Sequence, residues 1–145
     1  NYRVTEIQAA LGISQVKRLN QIILERNKHL NTYKLLLDSK PISFLKIPKN
    51  VLSSVHLCVI RLDNKDPEFH RHVFEGMKSG GIGVQLHYLP VHLHPFYQNL
   101  GFKKGDFPNS ELYAKNAMSL PLFIDIKMEE QERVVNQLTY LLDQT

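Results

Sequence analysis

Cysteine is nearly absent: Cys58 stands alone in 145 residues, so no disulfide can form within the chain and a reducing compartment such as the cytoplasm fits best. Its neighbours Leu57, Val59 and Ile60 are apolar, which favours an inert buried thiol over a nucleophile. No apolar run is long enough to cross a bilayer, so no membrane is expected among the partners. The first residues, Asn1 to Glu6, include neither an initiator methionine nor the apolar core of a secretion signal; the chain is expected to be part of a longer one, or processed. A large charge excess is also missing. Eighteen Lys and Arg against fourteen Asp and Glu leave +4, enough to favour anionic ligands but not to indicate nucleic acid.

Fingerprints with fixed spacing are equally scarce. There is no P-loop and no GxGxxG, because Gly80-Gly81-Ile82-Gly83 follows a predicted helix instead of opening one. Zinc is weakly supported: His87, His92 and His94 are close in sequence, yet there is no HExxH, no cysteine pair, and Pro90 and Pro95 interrupt the cluster. The stretch Ala10 to Arg18 resembles the turn and second helix of a helix-turn-helix, which makes nucleic-acid binding the alternative function. That motif usually has a small residue four before its glycine and an apolar one six after. Here Gln8 and Arg18 hold those places.

What is present is an ordinary globular composition, 43% apolar and 22% charged, in a length suited to one domain. Thr5-Glu6-Ile7-Gln8 has the form of a capping box. From it, Ile7, Ala10, Leu11, Leu19, Ile22, Ile23, Leu30, Tyr33 and Leu37 recur at helical spacing and predict one long amphipathic helix, straight or bent, ending before Pro41. Gly12 inside it signals close packing or a break near Ser14. A short extended piece is expected around Phe44 and a central strand, apolar on both faces, over residues 55–62. Asp66-Pro67-Glu68 predicts the start of a helix with Phe69, Val73, Phe74 and Met77 inward, ended by Gly80-Gly81. Residues 95–100 read as a short helix closed by Gly101, and Lys103 to Asp106 as an exposed turn. Asn109 is the expected cap of a helix with Leu112, Tyr113 and Ala117 inward. Residues 119–122 read as extended. A last helix is expected from Met128, capped by Asp125, with Val134, Val135, Leu138, Leu141 and Leu142 inward. These elements predict an α/β domain with a small sheet under several helices.

The functional surface is placed on the stretch from Gly80 to Pro95. Ile82, Val84 and Leu86 alternate with Gly83, Gln85 and His87, so a strand would bury the first set and carry His87 out on the polar side. Leu89-Pro90 ends it. A histidine beside an apolar strand is more often structural than functional. Here, however, His87, Tyr88, His92 and His94 fall within eight positions, all able to exchange protons or hydrogen bonds near neutral pH.

Several motifs in order carry a resemblance. Asn1 to Gly12, Gln15 to Leu19, Gly81-Ile82-Gly83-Val84, His87 to His92 and Ser119-Leu120-Pro121-Leu122 resemble the C-terminal part of the sugar aminotransferases of the DegT/DnrJ/EryC1/StrS family. Within it, the runs from His92 to Tyr97, Leu100 to Phe102 and Gly105 to Asn109 look most like the enzymes that aminate a UDP-linked 4-keto-6-deoxy sugar on the way to pseudaminic acid. The resemblance implies the small C-terminal domain of a fold-type I pyridoxal-phosphate (PLP) aminotransferase, with a small, mostly antiparallel sheet flanked by helices. Residues 1–40 would form the long linking helix and residues 41–145 the small α/β domain. It implies glutamate as amino donor, a UDP-linked keto sugar as acceptor, and a homodimer.

In that family the cofactor-bearing lysine and most of the phosphate cup belong to the N-terminal domain, so no catalytic residue and no bound PLP are expected on this chain alone. By resemblance, Asn1 reaches the cofactor phosphate of the neighbouring subunit, and Arg3 lies where anionic nucleotide-sugar groups are handled. His87, Tyr88 and His92 border the sugar. Departures from the family's pattern fall at Val55, Cys58 and Lys127, none of them in the site motifs.

Overall fold

The computed structural model describes residues 2–63 and 66–144. Its elements, in order, are α1 (Glu6–Lys17), α2 (Leu19–Leu36), β1 (Ile42–Phe44), β2 (Cys58–Leu62), α3 (Pro67–Ser79), β3 (Gln85–Leu86), a 3-10 turn (Val91–Leu93), α4 (Pro95–Asn99), α5 (Pro108–Asn116), β4 (Ala117–Leu120) and α6 (Met128–Leu142). The strands form one antiparallel sheet in the order β1-β2-β4-β3. The predicted α/β class with a small sheet flanked by helices is what the chain adopts.

The Thr5 capping box forms as read: the Gln8 amide donates to Thr5 Oγ1 at 3.3 Å and the Thr5 amide to Gln8 Oε1 at 3.0 Å. The single long helix does not. At Arg18 the backbone leaves helical geometry (φ −102°, ψ 1°) and its N–H turns back to Gln15 O, so α1 and α2 are separate. Gly12 is neither the break nor a close contact, since a Cβ there would meet nothing within 4 Å. The inward stripe also needs correction, because no residue of α1 is buried and Ile7 and Leu11 are exposed, as is Leu19. Burial starts only where α2 reaches the sheet, with Leu30 and Tyr33. Helical periodicity is set locally, whereas burial needs a surface to lie on.

Polar anchors fix α2 to the body. Tyr33 Oη donates to Pro121 O at 3.0 Å, and Gln131 Nε2 of α6 donates to His29 O at 2.9 Å. Arg26 Nη1 donates to His56 O at 2.9 Å and Asn27 Nδ2 to Ser53 O at 2.8 Å, which pins the irregular connection before β2.

In β2, Cys58, Ile60 and Leu62 are buried, Val59 is half-buried and Arg61 is exposed. The strand is central, but it alternates where both faces were expected to be apolar. The core gathers these residues with Met118 and Leu120 of β4, Phe69, Val73 and Met77 of α3, and the α6 stripe. Asp66 caps α3 by accepting from the Glu68 amide at 3.0 Å, and Gly81 takes φ +73° just after it. Two predicted caps shift. α5 starts at Pro108, not after Asn109, because proline suits the first helical position, and Leu112 stays exposed. At α6 the cap position is Lys127, not Asp125; its amide donates to Glu130 Oε2 at 2.8 Å. No described helix is long and apolar enough to cross a membrane.

Gly76 of α3 sets how closely α6 can approach, since a Cβ there would stand 2.5 Å from Leu141 Cδ2. Gly76→Val is expected to destabilise the fold by about 1–3 kcal/mol through overpacking, read as a lower urea midpoint with unchanged cooperativity.

Candidate functional site

The site region follows α3. Gly81 supplies the left-handed turn, and Ile82 and Val84 then enter the core. β3 lasts two residues, with Gln85 opposite Ser119 and Leu86 opposite Met118 of β4. The predicted alternation fails at its end: Leu86 is 45% exposed and His87 only 5%. So short an edge strand cannot carry the pleat onward, and as the chain leaves the ladder the imidazole turns inward.

His87 meets Tyr88 edge to face, ring centres 4.7 Å apart. Its Nε2 is buried with no hydrogen-bond partner among the described residues, a state that costs about 1–3 kcal/mol. Burial also holds its pKa below the ordinary imidazole value, which favours the neutral ring. Tyr88 is 65% exposed and lines an apolar cavity of about 350 Å³ with Leu86, Leu89, Pro90 and Leu93; Glu111, Lys104 and Lys115 supply its polar groups.

His92 sits in the 3-10 turn, buried, with Nε2 2.9 Å from Glu111 Oε1 and its ring 4.8 Å from that of Phe107. Glu111 also accepts the Gly105 amide at 2.6 Å. The Gly105 amide, and after it the His92 hydrogen bond, hold the Glu111 carboxyl below the usual carboxylate range. Sequence reasoning missed Glu111. An acid in the first turn of a helix is already explained by the helix dipole, and nothing in the sequence links it to a histidine 19 positions earlier.

The remaining candidates separate. Arg3 is exposed ahead of α1, in neither helix nor strand, and Asn1 lies outside the described residues. His94 is exposed, and no three His, Cys, Asp or Glu among the described residues gather as a metal-holding group. Cys58 is buried with its thiol pushed up to about 12, which fits the inert role. The helix-turn-helix reading is overturned: residues 6–17 form one continuous helix through Gly12, and α2 starts after a single residue, leaving no inter-helix turn where the motif needs one.

The architecture is thus that of a small α/β unit carrying a histidine-tyrosine pair at a strand end. The DegT/DnrJ/EryC1/StrS aminotransferase family matches residues 1–139, and the chain belongs to that family. Among curated relatives, a pleiotropic regulatory protein of Geobacillus stearothermophilus is 34% identical over 95% of this chain and 37% of its own length. The UDP-4-amino-4,6-dideoxy-N-acetyl-beta-L-altrosamine transaminase of Campylobacter jejuni is 31% identical over 99% of this chain and 38% of its own. Among solved structures, a protein described as a sugar aminotransferase, Spr1654 of Streptococcus pneumoniae, superposes with a TM-score of 0.93 at 25% identity, covering 98% of this chain and 36% of that one. Spr1654 has been solved in PMP and PLP forms. Helicobacter pylori PseC, an aminotransferase of pseudoaminic acid biosynthesis, gives 0.91 at 26% identity over 100% and 39%. The chain therefore spans little more than a third of the length of these relatives.

A pH dependence follows from two buried imidazoles. His70, whose Nε2 lies 3.2 Å from Ala117 O, and His87 both have pKa values lowered by burial. The unfolded chain takes up these protons first, so their contribution is complete above the ordinary imidazole pKa of about 6.5 and declines as pH falls below it. Urea midpoints are expected to drop between pH 7.5 and 5.5, and His70→Gln to flatten that slope; an unchanged midpoint across the range would contradict the assignment.

Proposed function

We propose that this chain is the sugar-side, C-terminal part of a PLP-dependent aminotransferase that moves an amino group from glutamate to a UDP-linked 4-keto-6-deoxy sugar. The product class would be pseudaminic-acid-type surface sugars. Residues 1–40 would be the linking segment, broken at Arg18, and residues 41–145 the small domain of a cytoplasmic homodimer. The observation that carries this reading is the family match over residues 1–139 together with the strand-end pair: a buried imidazole with an unpaired nitrogen next to an exposed phenol on an open cavity.

In this reading His87 and Tyr88 position the sugar and pass protons at Nε2 and Oη. His92 borders the ligand from the separate cavity that it lines with Tyr97, Phe102 and Phe107, Arg3 meets anionic groups of the nucleotide, and Asn1 the cofactor phosphate of the partner subunit. PLP supplies the electron sink that makes amino transfer possible. A lysine that carries it must be desolvated to react at neutral pH. No described lysine is buried, and one of the two least exposed, Lys40, pairs with Asp143 at 3.4 Å. The cofactor-bearing group therefore does not fit on these residues, and we assign it to the remaining part of the enzyme.

Two experiments test this. The 145-residue chain mixed with PLP and glutamate is expected to show no turnover and no lysine trapped by borohydride; a single saturable, trappable lysine with turnover would overturn it. In the complete enzyme, His87→Ala is expected to lower kcat by about 10²-fold or more, with cofactor absorbance and fold unchanged. Unaltered turnover there would remove His87 from the site.

A further inference from the structure

Glu111 stands between two cavities. It lines the one bordered by Tyr88, while His92, which it holds, lines another of about 300 Å³ with Tyr97, Phe102 and Phe107. A single carboxylate oxygen, Oε1, receives the His92 Nε2–H at 2.9 Å and the Gly105 N–H at 2.6 Å. The two side chains are only 7% and 10% exposed. Gly105 has φ +98° and belongs to a turn that Asp106 closes by accepting the Lys103 amide at 2.9 Å. Three separate stretches of chain, the 3-10 turn, the 103–106 turn and α5, thus converge on one atom.

The chemistry of the imidazole makes this more than a staple. A neutral ring has one N–H and one bare nitrogen. Donation from Nε2 to a carboxylate leaves Nδ1 as the acceptor, and a second group often decides in this way which nitrogen is free. Of the charged groups nearby, Lys104 and Lys115 line the Tyr88 cavity and Asp106 closes the turn; none of them is hydrogen-bonded to His92. Apart from the packing of the ring on Phe107, its orientation rests on Glu111.

We infer that Glu111 is a positioning residue for the cavity lined by His92, Tyr97, Phe102 and Phe107: its carboxylate holds the His92 ring with Nδ1 as the free acceptor and locks that ring to the 103–106 turn. The identity of the ligand presented to Nδ1 rests on the function proposed above; the ring geometry does not. Charge, not shape alone, provides the hold, because hydrogen bonds to ionised acceptors are about twice as strong as neutral ones.

The test uses the whole chain, labelled with ¹⁵N in histidine, at pH 8 and without substrate. Long-range proton–nitrogen spectra are expected to show His92 protonated at Nε2 and bare at Nδ1, with an Nε2–H that exchanges slowly. Glu111→Gln keeps an acceptor oxygen and loses the charge. It should retain the tautomer and the protection of the Gly105 amide while the His92 Nε2–H exchanges about tenfold faster. Glu111→Leu should lose the slow imidazole proton and the Gly105 protection together, with the His87 signals unchanged.

An Nδ1-protonated ring in the parent chain would overturn the inference. So would a slow Nε2–H that survives Glu111→Leu. If the leucine variant does not fold, Glu111→Gln decides alone, since an exchange rate equal to the parent's is incompatible with a charge-held ring. No sugar or cofactor enters these measurements, so failure of the aminotransferase reading would show in the His87→Ala kinetics and leave these signals as they are.

Discussion

β4 is the constraint on which the rest of the structure depends. All four of its residues are buried, and it pairs with β2 along one side and β3 along the other. β3 delivers His87 and Tyr88, so their place is set by the register of Leu86 opposite Met118. α5 runs directly into β4 from the other direction, so the position of Glu111, and through it His92, is set by the same strand. Two parts of the candidate site that are far apart in sequence are thus fixed by one ladder. A one-residue slip would exchange the faces of β4 and displace both.

The polar groups that cross the core follow the same economy. Tyr33 is fully buried, and desolvation raises its pKa far above the usual phenol value, so its hydroxyl remains a donor and reaches Pro121 O just after β4. Gln131, 1% exposed, donates to His29 O and holds α2 against α6. Buried groups of this kind contribute only about 1 kcal/mol each when satisfied but cost more when orphaned. They therefore specify one arrangement of α2 over the sheet, where apolar packing alone would tolerate several. Among the described residues Arg26 Nε, Asn116 Oδ1 and His87 Nε2 are buried without a hydrogen-bond partner, and the His87 ring adjoins an exposed tyrosine.

α1 stands apart from this economy. Ile7 and Leu11 are exposed, although the spacing of Ile7, Ala10 and Leu11 reads as the start of a buried stripe; Ile13 and Val16 are exposed as well. The chain accounts for about a third of the length of the relatives it matches. What the periodicity encodes in α1 is helix formation, supported by the Thr5 box, and not contact with the sheet.

The sequence by itself determined the local events, since their causes lie within a few residues. Asp66-Pro67 starts α3, Gly80-Gly81 ends it, Gly101 and Gly105 close turns with positive φ, and the α6 stripe faces inward. Motif order, read as resemblance, also determined the family. Tertiary structure decided whatever required a partner distant in sequence. The exposure of α1 and the half-open face of β2 depend on which surfaces other elements cover. The inward turn of His87 depends on where β4 stops pairing with β3. Glu111 became visible only when α5 brought its carboxylate within 2.9 Å of His92, because a hydrogen bond between residues 19 apart leaves no period or spacing for the sequence to show.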